Sequence, residues 1–451
     1  MPGSTQGTVW LAAACAAGMS FDVSAMTLGE AAQLALAHDP AMAVAQAGYE
    51  AERETGPQTT YVLKPNLSLD ANTARNSVEV QSRFFGAFEE NYPSTSAGVT
   101  LRQAVFRYDW FARVRRANAL QDAATSTLAD QRAGILFDAA QRYFTVLRAR
   151  DDLGFAVAEA RANAETYDDT RKRHDAGLVP GTDLKEAQAR KDRSDARVIG
   201  ARRNVANAVD ALKQSTGYDG TPLPALDANL PLRIPEPVSP DEWVAAAVES
   251  NPGIRAQREQ ANAAHDDIEL RRAEALPTLN LVGEYRRDDT SESVIGQERT
   301  GGEAKVELNV PLYGGGLNLS RVREGKARSR QAAAQLARAI ADTERQVRQA
   351  YREIETALAQ VSAFEQSLQS TLAAEQATRN GYSAGTRTIT DVLNAGTAVT
   401  DTRRQLHGAR YDYLLAVFQL KRLAGQLDLP DLAAFDTFLT GTAPNLEDVS
   451  R

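Results

Sequence analysis

Two Thr-Asp pairs, Thr182-Asp183 and Thr390-Asp391, stand shortly after glycine-containing turns at Ala176-Gly177 and Ala384-Gly385. A Thr hydroxyl or an Asp carboxylate at the start of a helix accepts hydrogen bonds from free N–H groups of the first turn. That is one chemistry such pairs can do. Other candidates are sparse. His38, His174, His265 and His407 are scattered, with no HExxH pattern and no carboxylate partner at ligand spacing. Gly314-Gly315-Gly316 lacks the Lys-Ser/Thr of a phosphate-binding loop and reads as a strand-to-helix turn. The single cysteine, Cys15, excludes a disulfide framework and a Cys-based zinc site. The chain therefore carries no catalytic constellation, and neither metal nor cofactor is expected.

The Thr-Asp pairs belong to a long duplication. Pro40 recurs as Pro252 and Pro65 as Pro277, both at an offset of 212. Ala176-Gly177, Leu212-Lys213 and Gly217 recur as Ala384-Gly385, Leu420-Lys421 and Gly425, now at an offset of 208. A repeat this long makes two similar halves, not a solenoid. The expected segments are an N-terminal leader over 1–25, a first repeat over 26–235, a second over 236–430 and a tail over 431–451.

Each half must position its pair with the same elements. Leu28 to about Gly56 carries an apolar helical face that breaks or restarts at Asp39-Pro40. The equivalent helix starts near Asp241 and is interrupted at Asn251-Pro252. From Pro65 the period changes to two, Asn66, Ser68 and Asp70 alternating with Leu67, Leu69 and Ala71. The stretches at Ser96–Gln103, Thr278–Gly283 and Lys305–Val310 alternate likewise, so each half holds two strands of about ten residues. The segments between them, Asn72–Thr95 (with Phe84, Phe85, Phe88 and Tyr92) and Arg286–Gly302, read as loops. Phe111 to about His174 has no proline and predicts a helix of roughly 90 Å at 1.5 Å per residue. Its heptad-like seam runs through Ile135, Ala139, Arg142, Val146, Ala149, Leu153, Ala156, Ala160, Asn163 and Tyr167. A second copy spans about Asn318–Asn380. Return helices follow from Asp183 to about Thr216 and from Asp391 to about Ala424. Phe106, Tyr108, Trp110 and Phe111 cluster where strand passes to helix, as ordinary core or as an aromatic belt at a membrane interface.

Composition narrows the class. With 51 basic and 59 acidic residues the chain is mildly acidic, which argues against nucleic-acid binding. Only 17 prolines and 6% aromatics, with abundant Ala, Gln, Arg and Glu, suit long helices. The run Val9–Ala17 is too short to span a bilayer, has the length of a signal-peptide apolar region, and is followed by Val23-Ser24-Ala25, a small-residue cleavage site. Met1–Thr8 lacks Lys and Arg, and acylation of Cys15 is a weaker alternative because Ala12 stands where Leu is preferred. No later segment is apolar enough to be a transmembrane helix.

Four strands of this length suit a tilted membrane barrel but cannot close one, because the smallest use about eight. An open edge in lipid leaves backbone groups unsatisfied, so strands must be pooled between chains. Three chains would give twelve strands, and their long helices could form a tube continuous with the barrel.

The chain resembles TolC-family outer-membrane efflux proteins over nearly all of residues 27–440. The resemblance rests on Tyr382-Ser383-Ala384-Gly385-Thr386-Arg387-Thr388-Ile389-Thr390-Asp391-Val392-Leu393-Asn394-Ala395, with support from Gly177-Leu178-Val179, Val310–Gly316 and Ala409–Tyr413. It implies a mainly α fold with β: a homotrimer forming a twelve-stranded barrel among outer-membrane lipids, joined to a periplasmic helical tunnel. A periplasmic adaptor would dock it on an inner-membrane transporter. It also implies a polar latch at the periplasmic mouth, with Thr182, Asp183, Tyr382, Arg387 and Arg410 as members, beside the capping reading of the Thr-Asp pairs. Asp391 matches an acidic ring at the entrance, where three carboxylates would attract cations. Asn394 matches a second acidic position of the family but is neutral here, which weakens that selectivity. The entrance motif resembles ducts that serve secretion as well as efflux, favouring type I protein secretion over small-molecule efflux. The rival of another class is a coiled-coil scaffold with two small hairpins, which has no reason to present amphipathic strands.

Overall fold

The computed structural model describes residues 25–82, 86–218, 222–227, 230–290, 293 and 296–442. The Cys15 run and most of the expected cleavage site lie outside the described residues, as do Phe84 and Phe85. In chain order the elements are α1 (Leu28–His38), α2 (Pro40–Arg53), α3 (Thr55–Tyr61), β1 (Asn66–Ser82), β2 (Gly86–Arg107), α4 (Asp109–Asp175), α5 (Gly181–Thr216), β3 (Pro224–Leu226), α6 (Pro240–Ser250), α7 (Pro252–Ala273), β4 (Thr278–Asp289), β5 (Glu298–Asn309), α8 (Leu317–Ser383), α9 (Ile389–Leu423), α10 (Leu429–Phe435) and β6 (Leu439–Thr442). The series from α1 to α5 repeats from α6 to α9, with α2 and α3 together corresponding to the single helix α7. Among the described residues no helix is long and apolar enough to cross a membrane.

Local chemistry sets the boundaries. Asp39 ends α1 and restarts the chain as α2, its carboxylate accepting from the Ala41 N–H at 2.8 Å with Pro40 at the first helical position. Asn251 does the same for α7, accepting from the Ile254 N–H at 3.0 Å and donating to the Leu423 carbonyl at 2.9 Å. The apparent break is thus a capped restart in both halves. The helices α4 and α8 are 67 residues each, or about 100 Å. Each closes on a left-handed glycine, Gly177 at φ +73° and Gly385 at φ +75°.

The four long strands form one antiparallel sheet in the order β1-β2-β4-β5, leaving β1 and β5 as open edges. The pairings Leu67↔Leu101, Leu69↔Val99, Leu101↔Gly283, Val99↔Tyr285, Leu281↔Val306 and Leu279↔Leu308 put every one of these residues on one face. The opposite face carries Asn66, Ser68, Thr100, Arg102, Asn280, Glu284, Lys305 and Glu307. The expected ten-residue length is corrected for the first pair: β1 has 17 residues and β2 has 22. The stretch expected as a loop over 72–95 is, at 72–82 and 86–95, a paired ribbon: the odd face of β1 turns polar (Thr73, Arg75, Ser77, Glu79), while the even face mixes Asn72 and Asn76 with Ala74 and Val78. It is held by the ladder itself and by bonds such as Asn76 Nδ2 to Ser94 Oγ at 2.9 Å. In the second pair the strands likewise run on to Asp289 and start at Glu298, leaving a shorter connection than Arg286–Gly302.

The core sits midway along the helices, where α4 and α9 pack and α1, α6 and α10 close over them. Phe144 stacks on Phe418 with centroids 6.1 Å apart and meets the Phe435 edge at 5.5 Å. Trp243, Tyr143, Leu136 and Leu420 are fully buried around it. The Tyr143 hydroxyl donates to the Met26 carbonyl at 3.0 Å. Along α4, Ile135, Ala139, Val146, Leu153 and Ala156 of the expected seam are buried. Arg142 belongs to that seam because its head reaches the Ala211 carbonyl on α5 at 2.8 Å. The seam is only half of the contact surface: Leu136, Ala140, Tyr143, Phe144 and Leu147 form a second buried row.

The two helix ends at Gly217 and Gly425 differ in a testable way. Both glycines are at φ +69°, so an alanine costs about 1–2 kcal/mol at either. At Gly425 the added Cβ would also overlap the Ser250 carbonyl oxygen, whereas at Gly217 the nearest atom is 3.8 Å away on His38. Gly425→Ala is therefore expected to lower the melting temperature in detergent clearly more than Gly217→Ala. Equal losses would mean that the α9 end does not bear on the α6–α7 junction.

Candidate functional site

Two regions carry features a folded core does not need: the sheet and the ends of the long helical hairpins. On the sheet, Leu67, Leu69, Leu101, Leu281, Tyr285, Val306 and Leu308 are all exposed. Side chains of one strand face alternate sides, so this is one continuous apolar surface. At the foot of the sheet Phe106, Tyr108 and Phe111 are about half exposed, and Leu312, Tyr313 and Leu317 are exposed at the equivalent place in the second half. Tyr108 and Trp110 contact Phe111 at 6.3 and 5.0 Å. Phe106, Tyr108 and Phe111 are therefore not core within one chain, whereas Trp110 is half-buried with its Nε1 covered. A surface of this size facing water is unfavourable, and lipid is the medium that suits it.

At the other end, the turns after α4 and α8 place the residues singled out in the sequence. The cap of α9 is Thr388. It forms a reciprocal box with Asp391: the Thr388 N–H donates to the carboxylate at 3.0 Å and the Asp391 N–H to the Thr388 hydroxyl at 3.2 Å. The Thr388 N–H first, then its hydroxyl and the nearby Arg387 charge, hold the Asp391 carboxyl below the usual carboxylate range against slight desolvation. The capping expectation is thus corrected in part. Thr390 is not a cap; its hydroxyl donates to Glu186 on α5 at 2.8 Å. In the first half the cap position holds Pro180, which has neither a hydroxyl nor an N–H, so no box forms. Thr182 and Asp183 are left with a 3.4 Å contact to each other.

Tyr382 lies at the end of α8 with Arg173 of α4 over its ring at 5.1 Å. Its hydroxyl is buried and has no hydrogen-bond partner among the described residues. Arg387 packs across Gly381 and makes no ion pair among the described residues. Asn394 is exposed and accepts from Arg190 of α5 at 2.5 Å. Arg410 is not at the mouth cluster. It lies 19 residues beyond Asp391 on α9, about 28 Å along the helix, and donates to Glu365 of α8 at 2.9 Å. Among the described residues of one chain no hydrogen bond or ion pair joins Thr182 or Asp183 to Tyr382, Arg387 or Arg410.

Sequence reasoning missed Glu186 and Arg190. They sit one helical turn apart on α5 and meet Thr390 and Asn394, also one turn apart on α9, so the matching spacing was the only available signal. It also missed Asp151, whose carboxylate accepts from the Tyr411 hydroxyl at 2.8 Å and meets His407 Nδ1 at 3.0 Å, a partner 256 positions away. Among the described residues no cluster of His, Cys, Asp and Glu could hold a metal ion.

The model of the outer membrane efflux protein family matches residues 31–218 and 243–426, one stretch in each half. This chain belongs to that family. Outer membrane protein TolC of Vibrio cholerae serotype O1 is 29% identical over 418 residues, covering 92% of this chain and 94% of the relative. Alkaline protease secretion protein AprF of Pseudomonas aeruginosa is 29% identical over 442 residues, covering 96% and 92%. Among solved structures, the Campylobacter jejuni CmeC outer membrane channel superposes with a TM-score of 0.75 at 16% identity, covering 93% of this chain and 91% of that one. The fold is therefore that of outer-membrane channels, doubled within the chain, and the outer membrane efflux protein described here is an exit duct of the outer membrane.

Proposed function

We propose that this efflux-family chain works as a homotrimer that passively conducts cargo handed over by an inner-membrane transporter through a periplasmic adaptor, with type I protein secretion favoured over small-molecule efflux. The observation that carries this reading is the four-stranded sheet, apolar on one face and open at both edges, standing on helices of about 100 Å. Closing those edges by pooling three sheets yields twelve strands and leaves no unpaired backbone in lipid. The helices then extend the bore away from the membrane into the periplasm. The halves 26–235 and 236–430 act as the structural repeats. The preference for protein cargo draws on AprF, a protease secretion protein in name, matched over nearly its whole length. A channel needs no catalytic site, and the chain is read as a non-enzyme. At the mouth, Thr182, Asp183, Tyr382 and Arg387 are proposed as latch members, and Asp391 as an entrance carboxylate whose second ring is replaced by the Asn394–Arg190 pair. Arg410, paired with Glu365, is proposed to brace α8 against α9 further along the same hairpin.

The test uses the full chain expressed in a Gram-negative host. It should fractionate with the outer membrane, run as a trimer by native mass measurement in detergent, and conduct ions in planar bilayers. A monomer in detergent, or a soluble periplasmic protein, would favour the scaffold reading.

A further inference from the structure

The duplication leaves one helix without the partner that its copy has. Helix α7 lies between α4 and α8, and buries Ile254, Ala256 and Ala263. Its first-half counterpart, α2 with α3, packs chiefly on α4 and has no buried residue, although most residues of α2 are apolar. Ala256 is 4% exposed, while Val44, its equivalent at the offset of 212, is 74% exposed. The deficit is mirrored on α8. Ala112 and Ala119 of α4 are buried, while Ser320 and Ala327, their equivalents at the offset of 208, are exposed. So α2 lacks a helix on the side where α7 has α4, and α8 lacks a helix on the side where α4 has α7.

Topology says what covers them. Helices α2 and α3 lead into β1, one open edge of the sheet, and α8 leaves β5, the other. When β1 of one copy pairs with β5 of the next, those two helices are brought side by side. The charges agree. Within the chain, Arg115 of α4 pairs with Asp266 of α7 at 3.2 Å. Shifted by 208 and 212, that pair becomes Arg323 and Glu54. Both are exposed and neither has an ion pair among the described residues. Glu50 and Glu52 flank Glu54, and Lys326 and Arg330 extend the Arg323 stripe along one face of α8.

We infer that the face of α2 and α3 is the seat of α8 of a second copy of this chain, with Glu54 paired to the neighbour's Arg323 as a between-chain repeat of the Arg115–Asp266 pair. The inference rests on the trimer reading and adds its register. The pair itself is exposed, so its role is to select that register more than to supply affinity.

Cysteine substitution tests it in the full-length chain with Cys15 replaced by serine. The double variant E54C/R323C, treated in the membrane with a short bis-maleimide, should give a dimer and trimer ladder on denaturing gels. The variant R115C/D266C is the reach control and should link within one chain. A native trimer without the ladder overturns the register while leaving the trimer standing; a native monomer overturns the trimer itself. Independently, Arg323→Glu should lower the temperature at which the trimer dissociates, and Glu54→Arg added to it should restore most of the loss. A trimer indifferent to Arg323→Glu, or a double variant worse than the single, overturns the pairing.

Discussion

Leu101→Arg is expected to abolish most of the membrane-inserted protein, while Thr100→Arg on the neighbouring position is expected to be tolerated. Leu101 lies on the apolar face between Leu67 of β1 and Gly283 of β4, and it is exposed. Thr100 lies on the other face, beside Arg102, which already meets Glu307 at 3.7 Å. An arginine on the lipid face of a barrel costs about 2–4 kcal/mol near the midplane, and little on the side that faces the bore. Three copies per barrel multiply the cost. The apolar band runs from Ala97 to Phe106 along β2, which puts Leu101 near its middle.

Heat-modifiable trimer on gels and outer-membrane yield measure the outcome. The prediction fails if both variants behave alike, because the sheet would then have no lipid side. It also fails if Thr100→Arg is the damaging one, which would invert the assignment of faces.

The helices were legible because their signal is local. Alanine-rich stretches without proline, ended by Gly177 and Gly385, place α4, α5, α8 and α9 within a few residues of where they stand. The apolar strand segments were legible through their period of two. Beyond Asn72 that signal stops, since the face that was apolar turns polar at Thr73, Arg75, Ser77 and Glu79 while the other mixes Asn76 with Ala74 and Val78, and only the register continues from the strands below. The caps were misplaced by sequence because two Thr residues precede Asp391, and only geometry selects Thr388, three positions back, as the one that can close a box. Glu186, Arg190 and Asp151 were illegible for another reason. Their partners are more than 200 positions away, and which side chains face each other across two helices depends on a rotation and shift that no local pattern encodes. The duplication, by contrast, carries information that a single chain does not use up: it says which contacts α2 and α8 should have and lack.

The mouth should open when Tyr382→Phe is combined with Arg387→Ser. Among the described residues of one chain the buried Tyr382 hydroxyl has no partner and Arg387 makes no ion pair. Leaving a buried hydroxyl unpaired costs about 1–3 kcal/mol. Thr182 and Asp183, freed from capping by Pro180, offer an acceptor set of the right kind at the equivalent turn. Arg387 and Thr182 are exposed, so three chains meeting at a mouth can join them across subunits, and the Tyr382 hydroxyl joins them once its ring turns outward. Each exposed link is worth under about 1 kcal/mol, but two links in three copies reach on the order of 3 kcal/mol. That shifts a closed–open equilibrium by roughly a hundredfold. Neither substitution touches the Thr388–Asp391 box or the helix seam, so the trimer should assemble. Single-channel conductance in planar bilayers should rise well above wild type, with each single variant in between. Ion preference reports the second group at the same mouth. Because its pKa is depressed, the Asp391 charge is lost only as pH falls through that lowered value, so wild-type cation preference should persist through the pH range in which ordinary carboxylates become protonated. Asp391→Asn should lower it already at neutral pH, since Asn394 adds no charge and Arg190 adds a positive one. A double variant that assembles and conducts like wild type would mean that Tyr382 and Arg387 serve the turn alone and the constriction lies elsewhere along the helices.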